Sequence, residues 1–95
     1  MNITNPNVPI PAGATADDWP SITEDGVLMR TLTWSEHDTP KVGVSVSAEQ
    51  RADDGSYTPE ISVFGADGIG LSADEARRLA AMLIEAADAL EAVAG

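Results

Sequence analysis

Ser35-Glu36-His37-Asp38 gathers in four consecutive positions the residue types of a hydrolytic triad. A triad works only when nucleophile, base and orienting carboxylate converge on one substrate atom, and they are drawn from separate elements to do so. Four neighbours in a turn cannot converge, so the cluster reads as solvated turn. His37 is the one histidine of the chain and there is no cysteine. Thiolate nucleophiles, disulfides and thiolate metal centres are therefore excluded. Carboxylates stand in adjacent pairs at Asp17-Asp18, Glu24-Asp25, Asp53-Asp54 and Asp74-Glu75. Acid–base catalysis needs one carboxyl kept protonated in a dry pocket, whereas these pairs sit among flexible and turn residues and read as surface solvation.

Two further chemistries fail on spacing and charge. A metal site built from Glu36, His37 and Asp38 would have to recruit Asp53 and Asp54 from the far end of a strand, and the alternating ligands of a calcium loop are missing. A glycine-containing loop, Gly65 to Gly70, precedes a helix start, and helix N-termini attract anions. The Lys-Ser/Thr of a phosphate-binding loop is absent there, while Asp67, Asp74 and Glu75 would repel a phosphate. The expectation is a protein that is not an enzyme, with no catalytic residue, no metal and no cofactor.

Composition narrows the partners. The 95 residues carry 16 acids against 5 bases, a net charge of −11 spread along the whole chain. Binding to nucleic acid depends on clustered Lys and Arg, and only Arg77 and Arg78 are adjacent, so direct contact with nucleic acid or an anionic membrane surface is not expected. No stretch approaches the roughly 20 apolar residues of a membrane span. The N-terminus shows no basic region followed by an apolar run, which with the missing cysteines points to a cytoplasmic protein.

The elements that must position any site follow from periodicity. Residues 1–20 hold Pro6, Pro9, Pro11 and Pro20, a composition that favours a disordered or extended arm. Ile3, Val8, Ile10 and Trp19 would let that arm fold back on a sheet face. Residues 21–95 read as one domain. A first strand spans 26–35, with Leu28, Leu32 and Trp34 on one face and Val27 and Met29 on the other, and 36–40 reads as a turn. In 41–50, Val42, Val44, Val46 and Ala48 alternate with polar residues, giving a strand with one buried face. Asp54-Gly55 marks a hairpin turn. A third strand spans 56–64, and Pro59 places it at an edge or bulge. Ser72-Ala73-Asp74-Glu75 is a capping box that opens a helix, along which Leu79, Met82, Leu83, Ala86, Leu90 and Val93 form a stripe. The expected fold is α+β: a three-stranded antiparallel β-meander packed against one C-terminal α-helix.

The segment Leu71–Leu90 (LSADEARRLAAMLIEAADAL), preceded by Ile61-Ser62-Val63 and a glycine loop, resembles the C-terminal part of short uncharacterised proteins of actinobacteria and their phages, in which a β-meander is followed by a helix of the type LSxxEARxLAxxLxxAAD. The resemblance covers residues 27–91. It implies the same fold and carries no functional residues, since no activity is assigned to that group.

Three surfaces remain for a partner. On the helix, Ile84 falls far from the core stripe beside Ala80 and Ala87, with Arg77 and Glu91 flanking them, which suits a helix–helix contact, most simply in a homodimer with Arg77 and Glu91 paired across an antiparallel crossing. On the sheet, Val27, Met29 and Phe64 lie opposite the core face by strand parity. The acidity itself suits an acidic nucleic-acid mimic that binds a basic DNA-binding protein, or merely keeps a small domain dispersed. The leading expectation is a non-catalytic protein-binding module, a phage or mobile-element accessory protein acting on a host protein. The alternatives are the mimic and a structural homo-oligomer.

Overall fold

A computed structural model describes residues 8–19, 28–65, 68 and 70–94. It is α+β, with strands β1 (Thr15–Ala16), β2 (Met29–Asp38), β3 (Gly43–Arg51) and β4 (Glu60–Phe64) followed by helix α1 (Ala73–Ala94). The strands form one antiparallel meander in the order β1-β2-β3-β4. The expected three-stranded sheet is thus corrected to four, the extra strand coming from the arm.

The alternation in β3 works as its spacing dictates. Val42, Val44, Val46 and Ala48 are buried, and Met82 and Ala86 of α1 close over the first three of them. Each of the buried valines and Met82 contributes about 1.5–3 kcal/mol through burial. Leu32 of β2 is fully buried on the same face, opposite Ala48. The ladder then slips between Thr33 and Ser35, so Trp34 is left without a partner in a bulge. Beyond it β2 continues to Asp38, three residues past the expected end at Ser35. The chain reverses instead at Thr39, whose hydroxyl accepts from the amides of Lys41 and Val42 at 3.3 and 3.2 Å.

The second reversal follows Asp54-Gly55: Gly55 has φ +74° and its amide donates to the Arg51 carbonyl at 3.0 Å. Residues 55–59 stay irregular, and β4 begins at Glu60 just after Pro59, not at Ser56. Proline has no amide to give a ladder, so pairing starts beyond it. The capping box forms in full. Ser72 Oγ accepts from the Glu75 amide at 3.1 Å, and Glu75 Oε1 accepts from the Ser72 amide at 2.8 Å.

The arm lies on the same face as the helix, past its C-terminal end. The carbonyls of Val8, Pro9 and Ala12 accept from Arg30 Nη2, Gln50 Nε2 and Trp34 Nε1 at 3.0, 3.2 and 3.2 Å. A turn from Pro11 to Ala14, with Gly13 at φ +80°, then brings Thr15 and Ala16 beside Thr33 and Leu32. No helix among the described residues is long and apolar enough to cross a membrane.

Candidate functional site

The structure separates the triad-like residues. Along the end of β2 they alternate in direction: Glu36, His37 and Asp38 stand opposite Ser45, Val44 and Gly43. His37 therefore shares the helix face, with Nε2 at 3.4 Å from Glu85 Oε2, while Glu36 and Asp38 are on the open face. Ser35 Oγ is buried and has no hydrogen-bond partner among the described residues. Asp53 and Asp54 are at the other end of β3, and among the described residues no three His, Asp or Glu side chains gather into a metal-binding group.

Several carboxylates are already engaged with bases or amides. Asp53 receives Arg51 Nε and Nη2 at 3.1 and 2.8 Å, a two-point contact that is the main reason its carboxyl is held below the ordinary value. Asp74 accepts from Arg77 Nη1 at 3.1 Å. Glu75 is likewise held below its ordinary value, first by the Ser72 amide and then by Lys41 Nζ, which donates to Oε1 at 3.0 Å. Through that bond Lys41, at the tip of the β2–β3 hairpin, ties down the start of α1.

The helix distributes its charges unevenly. Glu85 reaches β2 through His37, and Ala89, Ala92 and Val93 border a cleft of 460 Å³ with Trp34 of β2 and Pro11 of the arm. This flank therefore faces β2. At 100° per residue, Ala76, Ala80, Leu83 and Ala87 form the opposite flank, toward β4, and it holds none of the charged residues of α1. Ile84 crowns the outer side at 65% exposed, between the exposed Arg77 and Glu91. The structure thus brings Arg77, Ala80, Ile84, Ala87 and Glu91 onto adjoining faces of one helix. Leu83 joins them at 36% exposed, although its place in the apolar stripe suggested deeper burial.

Beneath that flank runs β4, the outermost strand, with no strand on its far side among the described residues. Ile61 and Val63 stand opposite Val46 and Val44, hence on the helix face, and Val63 is 48% exposed. Val63 on the edge strand and the uncharged flank of the helix thus lie on the same side of the sheet.

The sheet candidates do not meet. Met29 pairs with Arg51 at one end of the sheet and Phe64 with Gly43 at the other, and Val27 lies outside the described residues. Phe64 lies on the open face with its ring over the Gly43 Cα, where any side chain would collide with it. Around it that face is polar, lined by Thr31, Thr33, Ser45, Ser47 and Ser62.

The buried polar pair Arg30 and Gln50 carries only a weak sequence signal. Arg30 sits where an apolar side chain was due, opposite Gln50, and its guanidinium also covers the Trp19 ring at 4.3 Å. An arginine and a glutamine at inward parity, flanked by apolar alternation, were the available hint. No protein-family model, curated protein or solved structure matches this chain.

Proposed function

We propose that this chain is a non-catalytic protein-binding module, an accessory protein of a phage or mobile element that engages a host protein in the cytoplasm through the strip formed by β4 and the neighbouring flank of α1. One observation carries the reading. In a chain with 22% charged residues, the flank Ala76, Ala80, Leu83, Ala87 has no charge and shares the sheet face of Val63, which is exposed on a strand that has no further strand beside it among the described residues. Exposed apolar area bounded by charge is the usual mark of an interaction surface, and beyond Pro59 and Glu60 the edge of β4 runs through Ile61, Ser62, Val63 and Phe64 with no strand beside it among the described residues, a place where a further strand can add.

The nucleic-acid mimic has less support. A mimic needs carboxylates arrayed at phosphate-like intervals, whereas the acids here are divided among turns, the helix and the open face of the sheet, which carries Glu36, Asp38, Glu49 and Glu60 on three different strands, and Asp53, Asp74 and Glu75 are bonded to Arg51, Arg77 and Lys41.

The test is capture by the tagged chain from nuclease-treated actinobacterial lysate, washed at low and at high salt. The expected result is one stoichiometric protein retained at both, because an apolar interface survives screening, and lost with Ile84→Glu or Val63→Lys. A basic protein released by salt and indifferent to both substitutions overturns the reading in favour of the mimic.

A further inference from the structure

We propose that the open edge of β4 pairs with β4 of a second copy, antiparallel and in the one register centred on Ser62. The inference rests on the binding-strip reading above: in the free protein a second copy fills the strip, and a host protein engages it by displacing that copy.

The first argument is self-complementarity. Under a two-fold axis at Ser62, Ile61 stands opposite the second copy's Val63 and Val63 opposite its Ile61, both on the helix face. On the open face Glu60 stands opposite the second copy's Phe64, so no acid meets its own image. A shift of the axis to Ile61 would put Glu60 opposite Ser62 and leave Phe64 unpaired. A shift to Glu60 would oppose like charges directly, which destabilises a ladder.

The second argument is charge complementarity in the helices. The same axis runs two copies of α1 antiparallel, with their uncharged flanks facing each other above the Ile61–Val63 pairs. A crossing centred on Ile84 sets Arg77 level with the second copy's Glu91, since the two residues are spaced evenly on either side of it. The charged flank, with Arg78 and Glu85, turns away from the axis. A heterologous strand would match the edge but would leave this helical complementarity unused.

The third argument concerns long-range charge. Each copy carries −11, so two copies repel, and added salt must tighten the pairing by screening that repulsion. An acidic surface docking on a basic partner behaves in the opposite way.

The decisive experiment uses cysteine scanning on the full chain, which has no cysteine of its own. In the proposed register the two Ser62 Cα atoms are about 4.5–5.5 Å apart, inside the roughly 4.4–6.8 Å window of a disulfide. The two Glu60 Cα atoms are four residues out of step, about 13 Å apart. Ser62→Cys should therefore oxidise to a covalent dimer and Glu60→Cys should form no disulfide between copies. Ser62 is half-buried with only a 3.5 Å contact to Ser47 Oγ, so the thiol fits the monomer.

Sedimentation equilibrium of the unmodified chain should give twice 9.9 kDa at the upper end of a micromolar-to-millimolar series, and more dimer at higher salt. Val63→Lys, which lowers the net negative charge and so relieves repulsion, should nevertheless weaken the dimer about a hundredfold by burying an ammonium at two symmetric places. Equal cross-linking of both cysteine variants, or a mass of 9.9 kDa at every concentration and salt, overturns the proposal. If the chain is monomeric yet captures a host protein in a Val63-dependent way, the second copy is excluded and the binding module stands. If neither occurs, both fall.

Discussion

Arg30 Nε donates to Gln50 Oε1 at 2.8 Å across β2 and β3, and this buried pair is the clamp that fastens the arm to the sheet. Both also donate to the arm, Arg30 Nη2 to the Val8 carbonyl and Gln50 Nε2 to the Pro9 carbonyl at 3.2 Å, and Gln50 Nε2 reaches the Gly55 carbonyl of the β3–β4 turn at 3.3 Å. Gln50 is 2% exposed and Arg30 8%, so neither can turn to water when the other is removed.

Gln50→Leu should accordingly release the arm. The substitution preserves volume but strips an acceptor from the guanidinium and a donor from two carbonyls, and orphaning buried polar groups costs about 1–3 kcal/mol. The expected result is a fall of that size in urea-unfolding free energy, with loss of hydrogen-exchange protection at the Asp17 amide. That amide donates to the Thr31 carbonyl at 3.0 Å and reports whether the arm stays beside β2. Unchanged protection would mean that the β1 ladder and the Trp34–Ala12 bond hold the arm without the clamp.

Ser72→Ala tests the start of the helix. It removes the oxygen that receives the Glu75 amide and should cost about 1 kcal/mol, or a fall in Tm of roughly 4–8 °C for a domain of this size. Circular dichroism during thermal unfolding measures it. Ser72→Asp, which keeps an acceptor and adds a favourable charge at the helix N-terminus, should recover most of the loss.

The acid side of the stability profile should carry the signature of Glu75. Its carboxyl is held below the ordinary value of 4.5 in the folded chain by the Ser72 amide and Lys41. The unfolded chain therefore binds the proton more readily, and stability rises with pH across the interval between the two values. The contribution is complete above about pH 4.5 and is lost as pH falls through the depressed folded value. Glu75→Gln should flatten that decline, leaving the part due to Asp53, which is depressed by Arg51. Denaturation midpoints of both proteins across the acid range check this. Parallel curves would show that Glu75 titrates alike in both states.

These features differ in how far the residues alone disclose them. The capping box was legible to the residue because Ser72 and Glu75 act within one turn, and β3 was legible because Val42, Val44 and Val46 repeat at the period of a strand. Local physics decides both. The short pairing of Thr15 and Ala16 with β2 was not legible, because a proline-rich arm looks unstructured until a sheet edge supplies its partner. Nor was the bulge at Trp34, which shifts the parity of everything after it and turns Glu36-His37-Asp38 from a turn into strand. Of the candidate surface, the helix residues could be placed by angle alone. The open edge of β4 that adjoins them is a property of strand order, which no single segment encodes. Met29 and Phe64 share the outward parity expected of them but stand at opposite ends of the sheet, a separation that only the register reveals.

Ser35→Ala should stabilise the protein. The bulge at Trp34 turns Ser35 onto the helix face, opposite Val46, which is fully buried. There its hydroxyl is shielded from water without a hydrogen-bond partner among the described residues. A buried hydroxyl forfeits its hydration, and with no protein bond in return the loss is of order 1–3 kcal/mol. Alanine keeps the β-carbon that fills the space and deletes only the oxygen, so no sizeable cavity opens. A gain of about 1 kcal/mol in urea-unfolding free energy is expected, with an unchanged m-value because the surface exposed on unfolding stays the same. Serine at such a place is a poor choice for stability alone, and the bulge geometry fixes the position without requiring the hydroxyl. A comparable loss on substitution would mean that Ser35 Oγ holds a bond after all, and the bulge would then depend on it.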